Sequence, residues 1–159
     1  MILWLVLAGG AGGCLIRSYS KKVESMALEI QIKVKQINDS ASEGSARNHR
    51  VKCDRPEIKG GHNDGPMGGE LFLLGLGGCF MSNLLAAVQA REVTASNLEV
   101  CVAAQLDGTP PRFTEIDLQV SGDYHDVDEM KKLLVIAERG CIVANTIKDS
   151  VILAVTLKS

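Results

Sequence analysis

The feature that most constrains the fold of this 159-residue chain is the apolar segment from Glu70 to Arg91. Its composition favours one long helix, and its apolar residues fall on almost every side of that helix rather than along one stripe. Such a helix has no face suited to water, so we expect it to be buried nearly all round. Other elements must therefore fold around it.

Three glycines interrupt this helix just before a cysteine. Gly75, Gly77 and Gly78 all precede Cys79 within about one and a half turns. Each glycine costs a helix about 0.5–1 kcal/mol relative to alanine. Their presence indicates either close backbone packing or room for a ligand beside the Cys79 sulfur.

The rest of the chain alternates between strand and helix patterns. Apolar and polar residues alternate from Leu28 to Ile37, which predicts a half-buried strand. The later pattern predicts turns with one short strand over 38–48, an extended segment over 49–54, a loop over 60–66, a hairpin of strands 98–106 and 116–120, an amphipathic helix over 127–139, and a strand over 151–157. This order describes an α+β domain.

The first 25 residues differ from the rest, so we divide the chain into a leader over 1–25 and a domain over 26–159. The leader is apolar from Met1 to Ile16 but contains four glycines. It is short for a membrane span, which takes about 20 residues, and it lacks the positive residues that precede the apolar part of a signal peptide. Two interpretations remain open: a start extended upstream of Met26, or a signal or anchor.

Composition argues against several classes of function. The net charge is −2, no basic cluster stands out and only 4% of residues are aromatic, so no nucleic-acid partner is expected. The five cysteines match neither an extracellular disulfide framework nor a zinc site, and we expect no metal or bound cofactor. Reduced thiols predict a cytoplasmic location, although the leader leaves anchoring or export open.

Two of these cysteines are predicted to point inward. Cys79 lies within the apolar helix, and Cys141 continues the apolar stripe of the helix over 127–139. Thiols on different helices can meet where their Cα atoms come within about 7 Å. Free cysteines are also among the most buried residue types, so inert core thiols are an equally open interpretation at this point.

Two motifs resemble the OsmC/Ohr family of osmotically inducible and organic hydroperoxide resistance proteins. The first is the glycine-rich loop Gly60-Gly61-His62-Asn63-Asp64-Gly65-Pro66, followed by the helix segment from Glu70 to Cys79. The second, Cys141-Ile142-Val143-Ala144-Asn145-Thr146, resembles the family's C-P-V-S-N-T signature. The motifs stand in family order, and the resemblance extends from Met26 to the C-terminus.

The resemblance implies an intertwined homodimer with antiparallel sheets around a long central helix and two active sites at the subunit interface. It also implies a two-cysteine peroxidase that acts on organic hydroperoxides and on hydrogen peroxide. Cys79 would attack the hydroperoxide and Cys141 would close a disulfide. An external dithiol or lipoyl-type reductant would then reopen it. The alternative is a non-catalytic stress protein or carrier of apolar ligands.

Burial raises the pKa of a thiol, so we expect Cys79 to require a nearby cation that favours its thiolate. The resemblance implies an arginine held by a glutamate. Glu70 is the glutamate candidate, and we favour Arg50 as the arginine over Arg47 or Arg55, although each arginine is equally compatible with a solvated surface charge.

The chain departs from the family pattern at three places. Gly69 stands where organic hydroperoxide resistance members carry the glutamate, so Glu70 comes one position late. Ile142 and Ala144 replace the proline and serine of the second motif, which leaves the Cys141 thiol in place. For His62 we expect a hydrogen bond that orders the glycine loop.

Overall fold

The computed structural model of the chain describes residues 28–158. The predicted leader over 1–25 lies outside the described residues. Residues 28–32 carry no regular secondary structure, and the unit that begins at Ile32 holds every element described below.

The first sheet is a small antiparallel meander. It is formed by β1 (Lys33–Gln36), β2 (Ser42–Ala46) and β3 (His49–Cys53), in that order. The strand predicted from Leu28 to Ile37 is therefore shorter than expected. Lys33 pairs with Ser45, and β2 ends one residue later at a turn where Arg47 has a φ of 54°, so no partner remains for residues before β1.

The long helix forms where the sequence predicts it. A 3₁₀ turn (Glu57–Lys59) and the glycine loop lead into α1 (Gly68–Ala90). Its buried face carries Leu76, Phe80, Leu84 and Ala87. The opposite face is open, and Leu74 is 63% exposed. The prediction of burial nearly all round is thus wrong for the single chain, because the other elements cover only one side of α1.

A second sheet packs against the covered side of α1. The strands β4 (Ala95–Asp107) and β5 (Arg112–Tyr124) form the predicted antiparallel hairpin, and β6 (Ile152–Leu157) completes the sheet in the order β4-β5-β6. Antiparallel sheets were expected throughout, but β6 runs parallel to β5. A parallel pair needs a helical crossover, and two helices supply it here.

These crossover helices are α2 (Val127–Gly140) and α3 (Ile142–Ile147). Asp126 begins α2 by accepting hydrogen bonds from the N–H groups of Asp128 and Glu129 at 2.9 and 3.0 Å, the usual role of an N-cap aspartate. Only Cys141 separates the two helices. The predicted α+β class is confirmed, and the crossover brings Cys141 back onto α1.

The core lies between the helices and the second sheet. Alternate residues of β5 point into it, as a strand with one buried face requires. The fully buried side chains of this core are Leu76, Phe80, Leu84, Ile116, Leu118, Val120, Met130, Leu133, Ala137 and Cys141. By length and composition α1 could also cross a membrane, and one of its faces packs in this core.

Candidate functional site

The fold brings two cysteine thiols together. Cys79 is half-buried in α1, whereas Cys141 is fully buried and caps the N-terminus of α3, where its sulfur accepts the N–H of Ala144 at 3.4 Å. The two thiols lie close enough for each to shift the pKa of the other. All four cysteines among residues 28–158 are free thiols, so this is the reduced form of the pair.

The surroundings of Cys79 favour its thiolate. Burial by itself raises the pKa of Cys79, but the N–H of Val143, the Cys141 thiol and the N–H of Ile142 act in the opposite direction, and the pKa is lowered overall. Hydrogen bonds donated to a sulfur stabilise its charged form. Among residues 28–158, the expected cation does not contribute: the first turn of α3 and the Cys141 thiol lower the pKa of Cys79.

Cys141 is shifted the other way. Burial is the largest cause, and the neighbouring Cys79 sulfur adds to it, so the pKa of Cys141 is raised despite the N–H of Ala144. The pair is therefore asymmetric. Cys79 carries the negative charge more readily, and Cys141 stays protonated as the donor.

One polar side chain lies beside the pair. Asn83 follows Cys79 by one turn of α1, and its Nδ2 donates to the Cys79 carbonyl oxygen at 2.8 Å and lies 4.0 Å from Cys79 Sγ. Its Oδ1 faces the end of α2, where a Cβ added to Gly140 would come within 2.5 Å. The Asn83 amide thus contacts Cys79, one turn earlier in α1, and Gly140, the residue before Cys141.

The predicted activating pair does not form within the described chain. Arg50 lies on β3, is 75% exposed, and its Nη1 contacts Glu43 Oε1 at 3.0 Å. Glu70 accepts the N–H of Met67 at 2.7 Å through Oε2, which caps the start of α1. The roles of Arg50 and Glu70 at Cys79 stay predictions.

An apolar cavity of about 480 Å³ lies between α1 and β4. Gly77 allows the close approach there, since a Cβ on it would stand 3.0 Å from Val102 Cγ2, while a Cβ on Gly75 or Gly78 would meet nothing within 4 Å. The cavity is lined by Glu70, Leu73, Leu74, Gly77, Gly78, Met81, Val100 and Val102. The expected close packing is thus found at Gly77, with open space at Gly75 and Gly78, and room for a ligand beside the Cys79 sulfur stays a prediction.

The glycine loop is organised by Asp54, which the sequence did not single out. Its buried carboxylate accepts the N–H groups of Arg55, His62 and Asp64 at 2.7, 2.9 and 3.1 Å. The sequence signal was an aspartate at the start of a glycine-rich loop, a position where the side chain commonly bonds nearby backbone.

His62 also ties this loop to the first sheet. Its Nε2 lies 3.1 Å from Asp39 Oδ1, in the turn between β1 and β2. The predicted role of His62 as a loop-ordering residue fits these contacts. Among the described residues no group of three His, Cys, Asp or Glu side chains could hold a metal ion.

Comparison with known proteins now identifies the family. The family model for OsmC-like proteins matches residues 61–156, which include both cysteines. The chain belongs to the OsmC family. The comparison with curated protein sequences finds no match.

Solved structures of OsmC-like proteins share the fold at low sequence identity. An OsmC-like protein from Mycoplasma pneumoniae is 19% identical, with a TM-score of 0.72 over 84% of this chain and 100% of that one. The organic hydroperoxide resistance protein OsmC of Legionella pneumophila is 17% identical, with a TM-score of 0.66 over 83% and 98% of the two chains. OhrB of Bacillus subtilis, also an organic hydroperoxide resistance protein, is 17% identical, with a TM-score of 0.61 over 82% and 98%.

Sequence reasoning missed two parts of this OsmC-family site. Asn83 carried a signal, because it is one of few polar residues within an apolar helix. The backbone N–H groups in the first turn of α3 carried no such signal, because their effect depends on their position and not on the type of residue.

Proposed function

We propose that this OsmC-family protein is a thiol peroxidase in which Cys79 attacks a hydroperoxide and Cys141 resolves the product. The observation that carries the proposal is the placement of half-buried Cys79 beside fully buried Cys141, with the pKa of Cys79 lowered and that of Cys141 raised. A thiolate is the reactive nucleophile, which suits Cys79 to the first step. Cys141 keeps its proton until the second step, in which it attacks and gives that proton up.

The first step joins sulfur to oxygen. The Cys79 thiolate attacks one oxygen of the hydroperoxide and the O–O bond breaks. Cys79 becomes a sulfenic acid, and the other oxygen leaves as an alkoxide that takes a proton to give an alcohol. The sulfur is oxidised by two electrons, and the peroxide is reduced by two.

The second step joins the two sulfurs. Cys141 attacks the sulfenic sulfur of Cys79, its thiol proton leaves with the sulfenic hydroxyl as water, and a disulfide remains. An external dithiol, of which a lipoyl-type group is one, returns both cysteines to thiols by exchange and becomes a disulfide itself. No bound cofactor takes part.

An organic hydroperoxide is the proposed substrate class. The cavity beside Gly78 is lined almost entirely by apolar side chains, so an alkyl or aryl tail suits it better than hydrogen peroxide alone. Two structural relatives are organic hydroperoxide resistance proteins, which supports the same choice.

Intact mass tests the function directly. The reduced protein is mixed with one equivalent of cumene hydroperoxide. We expect it to lose two hydrogens, with Cys79 and Cys141 in one cross-linked peptide pair. Cys101→Ser, which removes an exposed thiol of β4, should behave like the wild type.

The Cys79→Ser variant should lose no hydrogens, and Cys141→Ser should stop at a sulfenic acid that dimedone traps. If Cys79→Ser loses two hydrogens as completely as the wild type does, the peroxidase proposal is wrong. The same cavity also favours a second candidate, a carrier of apolar ligands. That function predicts stabilisation by cumyl alcohol that is unchanged in Cys79→Ser.

We also propose that two copies of the chain form the active protein. The uncovered face of α1 exposes Leu74 and Leu85, with open space at Gly75 and Gly78. Such a face on a long helix is the kind of surface that an obligate dimer covers. A second copy is the occupant that the family resemblance implies.

Light scattering after size exclusion tests the dimer. We expect the mass of two chains for the wild type and of one chain for Leu74→Glu. Val135→Glu, at a comparably exposed position of α2, is the matched control and should leave the dimer intact. A single-chain mass for the wild type at micromolar concentration would overturn the proposal.

A further inference from the structure

We propose that Asn83 is a positioning residue for the thiol pair: it favours the Cys79 thiolate and fixes the distance between α1 and the chain segment that carries Cys141. The inference deepens the peroxidase proposal and rests on it. It is carried by two contacts of one amide group, which involve opposite sides of the site.

The first contact is with Cys79 itself. Asn83 Nδ2 donates to the Cys79 carbonyl oxygen at 2.8 Å, which fixes the amide group against the preceding turn of α1. The same nitrogen lies 4.0 Å from Cys79 Sγ, the outer limit for a hydrogen bond to a neutral sulfur. Because hydrogen bonds to an ionised acceptor are shorter and stronger, this contact should tighten when the thiol loses its proton.

The second contact is with the residue before Cys141. A Cβ on Gly140 would come within 2.5 Å of Asn83 Oδ1 and 3.2 Å of its Cγ. The amide therefore fills the space between α1 and the end of α2, and Gly140 leaves room for it. Since Cys141 follows Gly140 directly, the position of this amide limits how closely the segment that carries Cys141 can approach α1.

A purely local role is the competing explanation. In that case Asn83 satisfies one carbonyl of its own helix and has no effect on either thiol. The two explanations differ in what loss of the amide donor at position 83 does to Cys79, whereas an added negative charge tests only whether position 83 is close enough to act on the thiol. Asparagine and aspartate have the same shape, but aspartate replaces a donor with a negative acceptor.

The pH profile of Cys79 alkylation separates them. Iodoacetamide labelling of the full chain is followed by peptide mass spectrometry, which reads Cys79 apart from the other cysteines. We expect Asn83→Asp to raise the midpoint of the profile by about one pH unit or more, because a like charge disfavours the thiolate. Asn83→Ala should raise it less.

Ser82→Ala, one position earlier and on the exposed side of α1, is the matched control and should leave the midpoint unchanged. An Asn83→Asp profile that coincides with the wild type would overturn the inference. If that variant does not fold, Asn83→Ala carries the same test, and an unshifted Asn83→Ala profile would then overturn it.

A double-mutant cycle tests the second contact. Gly140→Ala should lower the urea midpoint of the wild type, because its methyl group collides with the Asn83 amide. In the Asn83→Ala background the same substitution should cost much less. Additive effects would show that position 83 does not set the space at Gly140.

These measurements need no hydroperoxide, so the inference about Asn83 and the peroxidase proposal can fail independently of each other. Disulfide formation by the wild type together with an unshifted Asn83→Asp profile would remove the role of Asn83 and leave the peroxidase. A shifted profile without disulfide formation would remove the peroxidase and leave Asn83 as a residue that controls the Cys79 thiol.

Discussion

Cys141 is fully buried beside half-buried Cys79, and the pKa values of the two thiols are shifted in opposite directions. Burial alone would raise the pKa of both thiols. The difference arises because the N–H groups of Val143 and Ile142 and the Cys141 thiol lower the pKa of Cys79, whereas the Cys79 sulfur works against ionisation of Cys141. One short segment of chain thus supplies both the second thiol and the groups that activate the first.

Removal of the Cys141 donor should make Cys79 less reactive near neutral pH. In Cys141→Ala the Cys79 thiolate loses one hydrogen bond, so we expect the pKa of Cys79 to rise and its alkylation rate at pH 7 to fall several-fold. Rates of iodoacetamide labelling at Cys79, read by peptide mass spectrometry, provide the measurement.

Cys141→Ser keeps a hydroxyl donor and is the matched control, which should stay closer to the wild-type rate. An equal loss in both variants would show that the hydrogen bond is not what lowers the pKa of Cys79.

The unfolding free energy should depend strongly on the side chain of Leu133 in α2 and only weakly on that of Val135, two positions later. Leu133 is fully buried, and Leu133→Ala removes methyl groups from the packed interior, which costs about 2–5 kcal/mol of unfolding free energy. Val135 is exposed, so Val135→Ala should change it by about 0.5 kcal/mol or less. Urea unfolding followed by circular dichroism measures both. Similar losses at the two positions would contradict the described packing of α2.

The glycine loop should lose its order in acid. Burial tends to raise the pKa of Asp54, but the N–H groups of Asp64, His62 and Arg55 outweigh it, so the pKa is well below its usual range. A lowered pKa means that the stabilisation is complete above the unfolded value of about 3.9 and is lost as the pH falls below it.

We therefore expect the wild-type urea midpoint to drop more steeply below about pH 4 than that of Asp54→Asn, which has no charge to lose. At pH 7 the variant should already be the less stable protein. Parallel curves for the two proteins between pH 5 and pH 2 would show that Asp54 does not anchor the loop through its charge.

Gly61 should tolerate no side chain. A Cβ at this position would lie 1.9 Å from the carbonyl oxygen of Arg55, which is backbone and cannot swing away. We expect Gly61→Ala to cost about 1–3 kcal/mol and to expose the loop to limited proteolysis. The control is Gly44→Ala on β2, where a Cβ would make ordinary contact with Val51. A protease pattern unchanged from the wild type in Gly61→Ala would contradict the path of this loop.

Most of the fold could be predicted because its elements have strong local patterns. The apolar run of α1, the amphipathic period of α2 and the alternation of β4 and β5 each specify their own element. The parallel pairing of β5 with β6 could not be predicted, since strand direction depends on where the crossover helices take the chain. The short β1 was also missed, because a strand ends where its partner ends, whatever its own pattern.

The candidate site likewise has parts that the sequence predicts and parts that it does not. Cys79 and Cys141 were found because each stands in a recognisable motif, and the fold places them together. Arg50 could not be placed by sequence, and within the described chain it faces Glu43. Asn83 acts through its contact with Gly140, which is remote in sequence, and Asp54 acts on the backbone N–H groups of a loop whose path no local pattern specifies.

The unequal burial of the two sulfurs gives the proposed disulfide an accessible side and an inaccessible one. Cys141 is shielded by the core, whereas Cys79 is half-buried in α1. A reductant must therefore attack at Cys79 and form its mixed disulfide there, while Cys141 departs and takes back a proton under the N–H of Ala144. The residue that meets the oxidant is thus also the one that meets the reductant, and the entrance to Cys79 has to admit both a hydroperoxide and a dithiol in turn.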